Sequence, residues 1–257
     1  MIGVFDSGLG WLLTAKYLQQ QLPQYEYLYL GDLAYVPWGE RSGDRIQTRT
    51  FVCLDWLFAQ GCELVILACN TASAYAIRPW QEQHPDKKVL SITIPGVEQA
   101  HAKDYQNCLL FATRATITSQ IYPSVCHKLG YEISFIPCIG TGLVDLIETA
   151  TSPEHIKNSL QELLPLGSQF DACILWCTHY PLIADLIQEL LPDIPLIDPA
   201  YEAVQRLPAY LKRHPEITEK LSTTPWLHVA LTSMGNFKKA SNYRGLPQGD
   251  DLTLVEI

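Results

Sequence analysis

The feature that most constrains this chain is a repeated alternation between short apolar runs and longer segments with helical spacing. Runs such as 2–5, 64–68 and 172–176 are continuous, whereas 11–22 carries its apolar residues on one helical face. Continuous apolar runs are typical of strands buried on both faces, and intervening helices connect parallel strands. The alternation therefore predicts an α/β fold built on parallel sheets.

The alternation also divides into two halves with the same plan. Cys69 follows the apolar run 64–68 and Cys177 follows the run 172–176, and in both cases polar residues and a helical segment come next. We predict a first α/β domain formed by residues 1–94 plus 203–257, and a second formed by residues 95–202. Ligands of parallel sheets bind beyond the carboxyl ends of the strands, which favours a site between the two domains.

Charge and composition exclude several classes of protein. The net charge of −9 comes without blocks of Lys and Arg, which argues against nucleic-acid binding and against an anionic membrane surface. No apolar run reaches the ~18 residues that span a bilayer. Residues 1–10 lack the basic segment of a signal peptide, so we expect a cytoplasmic protein. In that compartment the eight cysteines are expected to be reduced.

Cys69 and Cys177 are the strongest candidates for chemistry. A cysteine between the carboxyl end of a strand and the start of a helix lies where the helix dipole and free N–H groups favour a thiolate. The alternative is a pair of buried structural thiols, because free cysteines are commonly buried. Metal ligation is a third interpretation, which no neighbouring Asp/His cluster supports. The matching contexts of the two residues favour reactive thiols.

Residues 6–10, Asp-Ser-Gly-Leu-Gly, form a third strand-to-helix turn. Its backbone amides are suited to a carboxylate or a phosphate. No Gly-Lys-Ser/Thr follows, and Leu13 occupies the third position of a dinucleotide fingerprint, so neither nucleotide motif is present. Thr113 and Thr116 occupy a similar turn in the second half.

Taken together, these motifs resemble those of the glutamate racemases, a family of the aspartate/glutamate racemase superfamily. The resemblance covers nearly the whole chain, and the two cysteine motifs are its most specific part. The matching segments are 2–10, 31–32, 36–39, 68–72, 113–122, 177–181 and 231–233, together with Phe237.

The resemblance implies a fold and a reaction. The fold would be two similar flavodoxin-like parallel-sheet domains related by a pseudo-twofold axis, with the active site in the cleft between them. The enzyme would use no pyridoxal phosphate, no metal and no other cofactor. One cysteine thiolate would remove the Cα proton of glutamate, and the other cysteine would deliver a proton to the opposite face.

The resemblance also assigns residues. The catalytic set would be Cys69, Cys177, Asp6 and His179. The residues that contact the substrate would supply hydroxyls, amides and backbone N–H groups to its carboxylates. They are Asp6, Ser7, Trp38, Gly39, Asn70, Thr71, Thr116, Thr178 and His179.

The implied function is interconversion of L- and D-glutamate, which supplies D-glutamate for peptidoglycan. The partner would be a small acidic amino acid, and family members are often homodimers. One alternative keeps the chemistry and changes the substrate, for example to aspartate. A second alternative is a diverged paralogue that binds an acidic amino acid or a partner protein without turnover.

Several positions depart from the family pattern. Trp11 and Trp176 stand where the family has glycine, and Trp38 stands where it has tyrosine. One hypothesis is that these rings narrow the pocket, and the alternative is that Trp11 and Trp176 pack as ordinary core. The family also carries a glutamate in a segment that matches 137–140. That glutamate is missing at Gly140, and Asp145 or Glu148 could replace it by position.

Overall fold

A computed structural model describes residues 1–234 and 251–257, so Phe237 lies outside the described residues. The first of its two sheets has six parallel strands in the order β10-β9-β2-β1-β3-β4. These strands are β1 (Ile2–Asp6), β2 (Glu26–Gly31), β3 (Leu64–Leu67), β4 (Lys88–Ser91), β9 (Trp226–Leu231) and β10 (Asp251–Leu254).

The second sheet has four parallel strands in the order β6-β5-β7-β8. They are β5 (Asn107–Ala112), β6 (Ser134–Ile139), β7 (Ala172–Trp176) and β8 (Leu196–Ile197). In each sheet the first strand of the unit lies between the second and the third, so β2-β1-β3-β4 and β6-β5-β7-β8 have one topology. The predicted α/β class with two domains is confirmed.

Helices cover the sheets and connect their strands. Their bounds are α1 (Trp11–Gln21), α2 (Gly43–Ala59), α3 (Asn70–Gln83), α4 (Thr93–Ala102), α5 (Arg114–Thr118), α6 (Ile121–Leu129), α7 (Leu143–Glu148), α8 (Pro153–Leu163), α9 (Ala184–Leu190), α10 (Pro199–Arg213) and α11 (Pro215–Thr218). None of these described helices has the length and apolar composition needed to cross a bilayer.

The apolar strands are buried because helices pack on both faces of the first sheet. Leu18 of α1 and Leu207 of α10 belong to the hydrophobic cluster on one face, whereas Leu54 of α2 and Trp80 of α3 belong to the cluster on the other. All five residues of β1 are buried. This burial on two sides explains why the strands read as continuous apolar runs.

The structure adds local detail to the sequence prediction. The segment after Thr113 forms two helices, α5 and α6, because Gln120 between them adopts a left-handed conformation with φ 54°. Helix α4 spans the predicted boundary between residues 94 and 95. The helix predicted directly after Cys177 begins later, since a 3₁₀ turn, Tyr180–Ile183, precedes α9.

The chain beyond Ala203 returns to the first sheet, where β9 pairs with β2 and α10 packs against α1. Helix α10 begins at Pro199 and therefore crosses the predicted boundary at 203. The exact domain bounds stay a prediction.

Candidate functional site

The carboxyl ends of β1, β3, β5 and β7 open on one cleft between the two sheets. Its lining on the side of the first sheet consists of Ser7, Gly8, Val36, Pro37, Trp38, Gly39, Glu40, Cys69, Asn70 and Thr71. Its lining on the side of the second sheet consists of Thr113, Arg114, Gly140, Gly142, Val144, Asp145, Glu148, Cys177, Thr178 and His179. Asp6 and Thr116 do not line the cleft and are fully buried close behind it.

Cys69 lies at the start of α3, as its strand-end position predicts. Its Sγ accepts a hydrogen bond from Ala72 N at 3.4 Å and lies 3.0 Å from Ser7 Oγ. Burial, together with the nearby Asp6 carboxylate, raises the pKa of the Cys69 thiol to about 12, although the bonds to Ser7 and Ala72 lower it. Cys69 is therefore a protonated thiol at neutral pH and is suited to donate a proton.

Cys177 has a different environment, built on a histidine and a carboxylate. His179 Nδ1 lies 3.7 Å from Cys177 Sγ, and His179 Nε2 lies 2.8 Å from Glu148 Oε1. The same carboxylate oxygen accepts a hydrogen bond from Leu9 N at 3.1 Å. Burial by itself lowers the pKa of His179, but the interactions with Cys177 and Glu148 outweigh it and raise that pKa well above its ordinary value. His179 is therefore suited to carry a proton next to Cys177 Sγ.

Asp6 ends β1 and is completely buried. Its Oδ1 accepts a hydrogen bond from Gly8 N at 2.8 Å, which holds the turn after the strand. Burial raises the pKa of Asp6, and the opposing effects of His179, the Gly8 amide and the Thr178 hydroxyl do not cancel that rise. A carboxyl group with a raised pKa beside Cys69 can exchange a proton with it.

Three threonine hydroxyls form a ring across the two domains. Thr71 Oγ1 lies 2.9 Å from Thr113 Oγ1 and 3.1 Å from Thr116 Oγ1, and the last two are 3.0 Å apart. Asn70 is next to this ring, and its Oδ1 accepts a short hydrogen bond from the Tyr122 hydroxyl. Within the described part of the chain, the buried Asn70 Nδ2 has no hydrogen-bond partner. These donors are suited to a carboxylate.

The wall formed by residues 33–41 is held by a buried ion pair. The fully buried Asp32 receives two hydrogen bonds from Arg49, at 2.8 and 2.7 Å, and one from Thr232 Oγ1 at 2.7 Å. The Asp32 carbonyl accepts a hydrogen bond from Trp38 Nε1 at 3.3 Å. The network fixes Trp38 and Gly39 at the cleft, because a buried carboxylate with three donors resists displacement.

The structure distinguishes the two residues that could replace the missing family glutamate, Asp145 and Glu148. A Cβ atom at Gly140 would lie only 2.0 Å from the Tyr180 hydroxyl oxygen, so this position has no room for a side chain. Glu148, the last residue of α7, brings its carboxylate into the cleft instead and contacts His179. The sequence alone does not distinguish Glu148 from Asp145, because spacing along the chain does not show where the side chain at a helix end points.

The hypothesis that Trp11 and Trp176 narrow the pocket is wrong. Trp11 packs on Tyr29 with ring centroids 4.5 Å apart, and Trp176 stacks on Tyr122 at 3.3 Å. Both rings are essentially fully buried and neither lines the cleft. A large aromatic side chain gains more from apolar burial between helix and sheet than from a polar cleft. Trp38 does line the cleft, as predicted.

Sequence reasoning missed some residues of the site. Arg114 and Glu40 were given no role, although Arg114 stands inside the turn that holds Thr113 and Thr116. Tyr122 was named only as part of a motif, and its contact with Asn70 is visible only in the structure. No group of three or more His, Cys, Asp or Glu side chains in residues 1–234 and 251–257 is arranged to hold a metal ion.

Comparisons with known proteins point to one family. The model of the Asp/Glu/Hydantoin racemase family matches residues 13–207. The chain is 35% identical to the glutamate racemase of Cereibacter sphaeroides over 234 residues, 84% of this chain and 86% of that one. The structure is similar to Francisella tularensis glutamate racemase in complex with D-glutamate, with a TM-score of 0.86 at 30% identity over 99% and 97% of the two chains. Thermus thermophilus glutamate racemase in complex with β-chloro-D-alanine gives a TM-score of 0.85 at 26% identity over 100% and 96% of the chains.

Proposed function

The chain belongs to the Asp/Glu/Hydantoin racemase family, and we propose that it is a glutamate racemase that moves the Cα proton between Cys69 and Cys177. The observation that carries this proposal is the placement of the two thiols. Each follows the third strand of a sheet with the same topology, and both line one cleft. Inversion at Cα needs one group on each face of the substrate, and two equivalent domains supply one each.

The different environments of the two cysteines support Cys177 as the base and Cys69 as the acid in the reaction of one enantiomer. The Cys177 thiolate, stabilised by protonated His179, removes the Cα proton of one enantiomer. Cys69, a thiol with a pKa of about 12, then gives its proton to the opposite face of the carbanion. For the other enantiomer, Asp6 accepts the proton of Cys69 and protonated His179 gives its proton to Cys177. The Cys69 thiolate then removes the Cα proton and the Cys177 thiol delivers a proton to the opposite face.

The substrate is held by neutral donors deep in the cleft. One carboxylate binds to the hydroxyl ring of Thr71, Thr113 and Thr116 and to Asn70 Nδ2. This placement brings Cα next to Cys69, the residue before Asn70. Hydrogen bonds to a carboxylate that develops enolate character strengthen in the transition state, so these donors lower the barrier as well as binding the substrate.

The proposed product, D-glutamate, would enter peptidoglycan synthesis, and the reaction would take place in the cytoplasm. All eight cysteines are unpaired, which is consistent with a reducing compartment. The homodimer, the independence from cofactors and the absence of membrane and nucleic-acid partners, all expected from the sequence, stay predictions.

The experiment that tests the function measures deuterium uptake at Cα of L- and D-glutamate in D₂O by NMR. Both enantiomers are expected to exchange and to yield the same racemic mixture, because the equilibrium constant of racemisation is one. L- and D-aspartate are tested in parallel. Faster exchange of aspartate would favour the alternative substrate, and no exchange with either amino acid would favour the paralogue without turnover.

The position of Trp11 gives a further test of substrate choice. Trp11→Ala is expected to lower the free energy of unfolding by about 3–5 kcal/mol, because a large ring in the core is lost. The ratio of kcat/KM for glutamate to that for aspartate should stay unchanged, since the ring does not line the cleft. Urea unfolding and parallel kinetics measure both. A change in that ratio equivalent to ~1–3 kcal/mol, the usual effect of one methylene, would contradict the core assignment.

A further inference from the structure

The mouth of the cleft carries an ion pair between the two domains. Arg114 Nε lies 3.3 Å from Glu40 Oε2, and the two side chains are about half exposed, 52% and 49%. Glu40 ends the 3₁₀ turn Trp38–Glu40 beside the first sheet, and Arg114 begins α5 beside the second. Both residues line the cleft.

The two segments approach closely at this point. A Cβ atom at Gly39 would lie 2.8 Å from Thr113 Cβ, so only glycine permits the contact. Tyr75 Oη, on α3, donates a hydrogen bond to the Ala115 carbonyl at 3.0 Å and also ties the first domain to α5. Arg114 therefore stands at a defined place at the mouth, whether or not Glu40 holds its side chain.

The charges of the cleft oppose the binding of an acidic substrate. Glu40, Asp145 and Glu148 line it, and Asp6 lies close behind. Among the described residues of the lining, Arg114 is the one whose side chain is permanently cationic. Glutamate brings two carboxylates, and carboxylates of the protein repel them.

The pair with Glu40 is exchangeable. Exposed ion pairs are weak because water and salt screen them, so a second carboxylate can displace Glu40 at little cost. The hydroxyl ring and Asn70, deep in the cleft, hold one carboxylate of the substrate. A glutamate bound there by one carboxylate can direct its other carboxylate to the mouth, where the lining supplies the Arg114 guanidinium as a cationic donor.

We propose that Arg114 binds the side-chain carboxylate of the substrate, and that Glu40 is the competing partner that the substrate displaces on entry. This inference rests on the proposed glutamate racemase function. It makes Arg114 a specificity-determining residue and Glu40 a residue that weakens substrate binding. The two members of one ion pair would then have opposite effects on the enzyme.

The opposite effects give a sharp test. Arg114→Gln removes the cation and is expected to raise KM for glutamate about tenfold, with little change in kcat, because a charge-assisted hydrogen bond is lost. Glu40→Gln releases Arg114 and is expected to lower KM about threefold, the scale of an exposed ion pair. A pair that only holds the two domains together predicts instead that both variants change KM in the same direction.

The experiment measures kcat and KM for L- and D-glutamate from about 0.02 to 0.5 M ionic strength, a range over which exposed charges become screened. Arg114→Lys should recover part of the wild-type KM, because it restores the charge without the planar donor fork. Arg78→Gln is the matched control: Arg78 pairs with Glu82 on the exposed face of α3, outside the cleft. In the wild type, KM should rise with salt because the charge of Arg114 is screened, and this rise should be weaker in Arg114→Gln alone. The melting temperature of each variant shows whether its fold is kept.

Calorimetric titration with L-glutamate separates the two proposals. If the wild type turns over glutamate and both single variants change KM in the same direction, or neither changes it, the assignment of Arg114 is overturned and the proposed function stands. If the wild type binds glutamate without turnover, the function falls, and the dissociation constants of the same variants decide the role of Arg114. If it neither binds nor turns over glutamate, both proposals are wrong.

Discussion

Replacement of Cys69 or Cys177 by serine is expected to lower racemisation of glutamate by about 10²–10⁴-fold, the scale of a lost general acid or base. Serine is nearly the same size as cysteine, so the fold should be kept, but its hydroxyl is a far weaker acid than a thiol. Each variant retains one working proton carrier. Cys69→Ser and Cys177→Ser should therefore each exchange the Cα proton of one enantiomer, and the two variants should act on opposite enantiomers.

Deuterium uptake from D₂O, followed for each enantiomer separately, measures this exchange without any coupling enzyme. Cys138→Ser is the matched control, because Cys138 is buried outside the cleft and its thiol donates to the Leu163 carbonyl at 3.2 Å, a bond that serine can replace. This control should racemise glutamate at the wild-type rate. Near-normal racemisation by Cys69→Ser or Cys177→Ser would refute the two-base proposal.

Glu148→Gln is expected to lower kcat/KM for glutamate about 10²-fold, because removal of an electrostatic partner from a catalytic histidine commonly has an effect of this order or more. An amide of the same size can still accept the hydrogen bond from Leu9 N, but it no longer stabilises protonated His179. The thiolate of Cys177 then loses its cationic partner. Because the equilibrium constant of racemisation is one, kcat/KM must fall equally for L- and D-glutamate.

The dependence of kcat/KM on pH distinguishes this role from a merely structural one. Glu148 contributes to the raised pKa of His179, so Glu148→Gln should lower that pKa. His179 then loses its proton at a lower pH, and the decrease of kcat/KM on the alkaline side should begin at a lower pH than in the wild type. An alkaline limb that does not move, in a variant with wild-type melting temperature, would assign Glu148 to packing alone. Asp145→Asn, which changes another carboxylate of the cleft, is the matched control.

The directions of the Trp11 and Trp176 side chains cannot be predicted from a family pattern of residue types. A glycine-to-tryptophan difference next to a strand end predicts a change in the pocket only if the side chain points toward it. Trp11 begins α1 and Trp176 ends β7, and their buried rings belong to hydrophobic clusters between helices and sheet. Direction at the end of an element depends on how the helix packs, which a family pattern of residue types does not contain.

The sequence by itself determined the α/β class, the two-domain plan and the family. Buried parallel strands must be continuously apolar, and the turns that follow them carry the motifs, so these features are local and can be read along the chain. The placement of Cys69, Cys177 and Asp6 at strand ends follows from the same local pattern. A parallel sheet brings its strand ends to one edge whatever the rest of the chain does.

Only the tertiary structure decided which side chains meet in and around the cleft. Glu148 reaches His179 from the end of α7, Tyr122 reaches Asn70 from α6, and Arg114 meets Glu40 between the two domains. These partners are distant in sequence, and their contacts depend on helix ends and domain packing. No local periodicity records such contacts, because they depend on the relative placement of elements that each form from their own pattern.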